Sequence, residues 1–165
     1  MESTRRTIPG PGQESAWDYP RPPRAERTLR RIRVESAGRL IVDTVDAWRV
    51  LETSHPPVYY VPPADIEPAT LVEASGSSFC EFKGRASYYD LVVGDRRCAR
   101  AAWAYPLPTR PFAAIARHLA FYASRVDACY VDDERIVAQE GDFYGGWITS
   151  DVVGPFKGAA GTSGW

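Results

Sequence analysis

Hydrophobic positions fall mostly at every second residue, in short runs broken by proline, glycine and acidic pairs, which predicts a chain built mainly of β-strands. Ile32 and Val34, then Leu40 and Val42, flank Ala37-Gly38 and read as a hairpin. Trp48 and Val50 predict a third strand, and Val58-Tyr59-Tyr60-Val61 a fourth. His55-Pro56-Pro57 and Pro62-Pro63 bracket the fourth, so it should be short and near a sheet edge. Beyond a loop around residues 75–78 come Phe79 to Phe82 and Ala86 to Val93. The second of these carries apolar groups on both faces and should be central. Gly94-Asp95 turns the chain into a strand from Arg97 to Tyr105, and Asp132-Asp133 joins Tyr130-Val131 to Ile136-Val137.

Three segments depart from this period. Phe112, Ile115, Ala116, Leu119, Tyr122, Ala123 and Val126 recur at three- and four-residue steps, which predicts one short helix, with Thr109 as its cap and Pro111 in its first turn. Its end is open, since Leu119 to Tyr122 fits a strand equally well. Residues 1–28 are rich in proline and arginine and predict an irregular arm; Trp17 and Tyr19 should dock it on the single domain of residues 29–165. The glycine-rich tail from Gly141 to Trp165 carries Phe143, Tyr144, Trp147, Phe156 and Trp165, and aromatic groups of that size are expected against the body.

Composition narrows the function classes. A net charge of −1 gives no global field to attract nucleic acid or anionic membrane. No apolar run approaches the ~20 residues of a membrane span, and the N-terminus has no apolar stretch of a secretory leader, so a cytoplasmic location is expected. Three widely spaced cysteines, Cys80, Cys98 and Cys129, do not form a disulfide framework. Of 20 basic residues only Lys83 and Lys157 are lysine, and both sit in the tripeptide Phe-Lys-Gly. Lysine differs from arginine in being compact and able to lose its proton when desolvated, so these two positions read as requiring an amine. The arginines at positions 21, 24, 27, 30, 31 and 33 read as a solvated basic face rather than a phosphate-binding arm.

Several stretches resemble the bacterial and fungal family known as domain of unknown function 427: ETSHPPVYYVP from Glu52, CEFKGRASYY from Cys80, AAWAYPLP from Ala101, HLAFYASRVD from His118 and YGGWITSDVVGPFKG from Tyr144. The resemblance implies a β-tent-like pair of curved antiparallel sheets, as in methionine-R-sulfoxide reductases and the thalidomide-binding domain of cereblon. Relatives of that architecture hold zinc between two Cys-x-x-Cys knuckles. This chain has no Cys-x-x-Cys, so no metal and no cofactor is expected. A nucleotidyltransferase-like label also attaches to the family. The chain carries no Gly-Ser followed closely by Asp-x-Asp, no P-loop and no Gly-x-Gly-x-x-Gly, so this activity stays a remote alternative.

The candidate chemistry gathers on few residues. Cys80 precedes the first Phe-Lys-Gly, and a thiolate beside a cation is a usable nucleophile. In an extended strand Cys80 and Lys83 point to opposite faces, so they meet only if the strand ends or bulges before Gly84. His55 sits in a proline-stiffened loop and suits an acid, a base or a structural hydrogen bond. Tyr59, Tyr60, Tyr88, Trp103 and Tyr105 combine apolar walls with polar tips, as small-molecule pockets do. Arg49 reads as the partner of Glu52 or as a clamp on an anionic ligand. His118, Cys98 and Cys129 read as a surface group and core filler. Two uses of one cleft stay open: a binding module for a planar or cationic ligand, or a small-molecule enzyme with Cys80 or Lys83 attacking and His55 as acid/base.

Overall fold

The computed structural model describes residues 5–141 and 143–165. The strands run in chain order as β1 (Glu14–Ser15), β2 (Arg24–Arg27), β3 (Ile32–Ser36), β4 (Arg39–Thr44), β5 (Trp48–Leu51), β6 (Val58–Tyr60), β7 (Leu71–Cys80) and β8 (Gly84–Val93). They continue as β9 (Arg96–Ala104), β10 (Ala120–Phe121), β11 (Ala128–Val131), β12 (Glu134–Arg135), β13 (Val137–Ala138), β14 (Trp147–Ile148) and β15 (Val152–Val153). Two antiparallel sheets have four strands each, in the orders β10-β9-β8-β7 and β12-β11-β3-β4. A third sheet has the order β2-β5-β6, and β1-β15 and β13-β14 are small two-stranded pairs. The chain is therefore mainly β, as its alternating pattern predicts.

Side-chain parity distributes the core. On β9, Ala102 and Ala104 face the main core, while Trp103 between them faces a second, aromatic cluster that Tyr105 joins. On β8, Leu91 and Val93 join the main core, and Ala86 and Tyr88 join the aromatic cluster. The predicted central strand β8 thus lies between β7 and β9 with both faces covered. The main core lies between the two four-stranded sheets and takes Ile32, Val34, Ile41, Val42 and Val131 from the other sheet. The aromatic cluster lies between β8-β9 and the three-stranded sheet, which contributes Val50 and Tyr60.

The predicted helix is shorter than its spacing suggests. Arg110–Ile115 is a 3-10 helix interrupted at Phe112, and Thr109 makes no side-chain cap; its hydroxyl donates instead to Phe82 O at 2.5 Å. Arg117 has φ +62°, after which Leu119 bridges to Val61 and β10 pairs with β9. From there alternation replaces helical spacing: Leu119 and Phe121 enter the main core, while Ala120 and Tyr122 enter the aromatic cluster. A three-and-four pattern and a two-residue pattern coincide over so short a run, and pairing with β9 decides between them.

One expectation of irregularity fails, and the docking expected of the N-terminal arm is met. The segment around residues 75–78 belongs to β7, which carries a register shift between Glu73 and Ser77. The N-terminal arm is built into the body: β2 pairs with β5, β1 pairs with β15, and Trp17 Nε1 donates to Pro155 O at 2.8 Å. Ala16, Tyr19, Leu51 and Val152 form a small core beneath it. The six arginines between positions 21 and 33 each face a carboxylate: Arg21 with Glu52, Arg24 with Glu26, Arg27 with Asp46, Arg30 with Asp132 and Asp151, Arg31 with Asp43, Arg33 with Asp133. The tail is docked through Trp147, which is 1% exposed and donates to Phe121 O, while Phe143 contradicts expectation at 65% exposed.

Candidate functional site

The β7-β8 hairpin resolves the geometric problem of Cys80 and Lys83. β7 ends at Cys80, which pairs with Gly84, and Glu81, Phe82 and Lys83 form the turn. Gly84 has φ +107°, a conformation that side-chain-bearing residues rarely adopt, and this lets the chain reverse there. Thr109 pins the turn from the far side: its N–H donates to Lys83 O at 3.0 Å and its hydroxyl to Phe82 O. The strand has ended before Lys83, so Cys80 and Lys83 line the same cavity.

That cavity measures about 230 Å³. His55, Cys80, Lys83, Tyr60, Tyr88, Trp103 and Tyr105 all line it. Trp103 forms its flat wall, with ring centroids of Tyr60 at 6.3 Å and Tyr122 at 4.5 Å, and its Nε1 donates to the Tyr60 hydroxyl at 3.4 Å. The Tyr88 and Ser78 hydroxyls meet at 2.8 Å. Burial pushes the Tyr60 and Tyr105 phenols above the usual tyrosine range, so both keep their protons at neutral pH.

Two candidate residues lie elsewhere. Tyr59 is on the opposite face of β6 from Tyr60; it is 2% exposed and packs in the main core, 5.4 Å from Trp147. Burial raises its phenol to about 12. Arg49 does not pair with Glu52. It donates to Glu14 at 2.8 Å and to Glu26 at 2.6 Å on the outer side of β5, away from the cavity. With both carboxylates already on its guanidinium, its fork is fully engaged.

Lys83 is the electrostatic anomaly of the site. The residue is only 9% exposed, and its ammonium lies 5.7 Å from the Tyr105 ring centre and 5.9 Å from that of Phe112. Among the described residues it has no hydrogen-bond or ion-pair partner. The ammonium still reaches solvent, and aromatic faces stabilise such a cation by about 0.5–1 kcal/mol.

His55 is held by the arm and the tail together. Ser54, at φ +71°, donates its N–H to Ala16 O at 3.0 Å, and its own carbonyl accepts from Lys157 N at 2.8 Å. The Gln139 amide is oriented by two backbone groups, because Gly146 N donates to its Oε1 and its Nε2 donates to Lys157 O. The same NH₂ group therefore donates to His55 Nδ1 at 3.1 Å. The imidazole proton then sits on Nε2, 3.7 Å from Glu52 Oε2. Burial first, and then the positive charges of Lys157, Arg21 and Lys83, push its pKa down to about 4. His55 is a neutral hydrogen-bond donor.

Gln139, Tyr122, Tyr144 and Gly145 add to the lining, as do two carboxylates, Glu52 and Glu81. Tyr144 meets His55 edge-on at 4.8 Å, and the ammonium of Lys157 lies 5.4 Å from its ring centre. Gly145 crosses Trp103 so closely that a Cβ there would fall 2.1 Å from the indole Cη2. The Tyr122 hydroxyl donates to Phe143 O at 3.0 Å. An aromatic next to paired glycines in an otherwise irregular tail is the one sequence signal for this wall. Gln139, just after the two-residue strand β13, gives none. Among the described residues no group of three or more His, Cys, Asp or Glu is arranged to hold a metal ion. No helix is long and apolar enough to cross a membrane.

No curated protein matches the chain. The model of the family described as domain of unknown function (DUF427) matches residues 24–132, which is 109 of the 165 residues and runs from β2 into the turn after β11. His55, Cys80, Lys83 and Trp103 fall inside that span, while Gln139 and Tyr144 of the opposite wall fall beyond it. The chain belongs to the DUF427 family.

Proposed function

We propose that the chain binds a small organic anion in the ring-walled cavity, with the anionic group against Lys83 and an apolar, planar part against Trp103. The observation that carries this reading is the Lys83 side chain, 9% exposed on the cavity wall, with its ammonium over two rings and no carboxylate partner among the described residues. A cation in a largely enclosed pocket gains from a ligand that supplies negative charge. Two carboxylates, Glu52 and Glu81, also line the cavity, but Glu52 is engaged by Arg21 at 3.4 Å and Glu81 is exposed, which leaves Lys83 as the charge a ligand can meet inside. Neutral His55 adds an N–H donor, and the tyrosine hydroxyls add polar tips to apolar walls. Trp103→Ala should remove saturable binding of a planar anion while the chain stays folded by circular dichroism; unchanged affinity would remove the residue on which the reading leans.

Cys80 beside Lys83 on the cavity wall favours a second, catalytic reading. His55 supports it weakly as a base, since its one free lone pair already accepts from Gln139. A catalytic Cys80 should react with iodoacetamide faster than a model thiol at pH 7. Equal or slower labelling leaves the binding reading alone.

A further inference from the structure

Resting on the reading of the cavity as an organic-anion site, we infer that the ligand class is a small aromatic monocarboxylate: one ring carrying one carboxylate. Size comes first. The cavity measures about 230 Å³. An apolar cavity of about 150 Å³ takes one benzene, and a water-sized group occupies about 30 Å³ in the liquid. One ring therefore leaves room for roughly two or three oxygen-sized groups, which is the bulk of a carboxylate. A nucleotide, with base, sugar and phosphate, exceeds that space.

Charge type narrows the class further. Lys83 presents one point charge, and among the described residues lining the cavity there is no arginine to grip a phosphate in bidentate fashion. A single ammonium balances a monoanion and leaves a phosphate dianion half compensated. The His55 Nε2–H is turned toward Glu52 Oε2 at 3.7 Å, so the carboxylate of the ligand belongs on Lys83, the one cation among the described lining residues. The ring belongs on Trp103, the broadest face in the lining, flanked by Tyr60 and Tyr122. The small Ala86 lines the cavity beside them.

The test is calorimetric titration of the full chain at pH 7 with four probes: benzoate, benzyl alcohol, acetate and adenosine monophosphate. Benzoate should bind at least about tenfold more tightly than each of the others, because only it supplies both ring and charge. Lys83→Met, or Lys83→Gln if the first fails to fold, should erase the advantage of benzoate over benzyl alcohol. The four-probe comparison on the unaltered chain depends on no variant. Adenosine monophosphate or acetate binding as tightly as benzoate would overturn the ligand class and leave the anion site standing. Benzyl alcohol matching benzoate, or no saturable binding by any probe, would overturn both.

Discussion

At the residue scale two groups stand out: Lys83, whose ammonium meets two rings and no carboxylate among the described residues, and His55, which is neutral. The histidine has a pH consequence. Its folded pKa of about 4 lies below the ordinary 6.5, so between those values the unfolded chain binds the proton and the native chain does not. Stability therefore rises with pH through this window, is complete above about 6.5, and is lost as pH falls toward 4. The loss between pH 7 and pH 5 should be about 2 kcal/mol from this residue. Urea midpoints of the native chain and of His55→Gln at both pH values test it: the substitution should flatten the slope, and an unchanged slope would contradict the buried neutral state. Lys83→Met carries the opposite signature to an ordinary core substitution. It removes a charge without a carboxylate partner and keeps the apolar stem, so stability should change by less than about 1 kcal/mol in either direction while anion binding is lost. A loss of several kcal/mol would mean that the ammonium is held by a partner.

At the element scale the β7-β8 turn brings the chemistry together. Gly84→Ala forces a side-chain-bearing residue to φ +107°, and although its Cβ meets nothing closer than 3.5 Å, the conformational strain should cost about 1–3 kcal/mol and displace Lys83. Thermal unfolding and benzoate titration should both register it; an unchanged affinity would show that the turn does not set the position of Lys83. Gly145→Ala acts through collision, since its Cβ would fall inside the Trp103 ring edge, and should cost about 1–3 kcal/mol while narrowing the cavity. Much of this scale is legible in the chain. The alternation along Ala86–Val93 predicts a strand covered on both faces, and the odd-numbered Trp103 and Tyr105 share one face of their strand. The same parity sets Tyr59 against Tyr60, so placing both in one pocket ignores a two-residue period that was readable. The helical spacing after Pro111 is ambiguous in principle, because only pairing of Ala120 and Phe121 with β9 makes that stretch extended.

At the scale of the whole molecule, chain ends far apart in sequence build one loop. The N-terminal arm supplies Ala16 O and the tail supplies Lys157 N, and between them they fix Ser54 and therefore His55. Contacts of this kind have no local signature, which is why the proline-rich arm reads as irregular and Gln139 goes unnoticed. Removing residues 1–27 should strip β2 from the edge of β5, expose Leu51 and Val152, and cost about 3 kcal/mol or more in urea unfolding. An unchanged midpoint would show that the arm is an ornament of the fold. The most direct test of the central claim uses the chain's own scarcity of lysine. With carbon-13 at the ε-position of lysine alone, the nuclear magnetic resonance spectrum contains two signals, from Lys83 and Lys157. Benzoate should shift the Lys83 signal saturably and in step with the calorimetric isotherm. A Lys83 signal that stays fixed while benzoate binds would contradict an anion held against that ammonium.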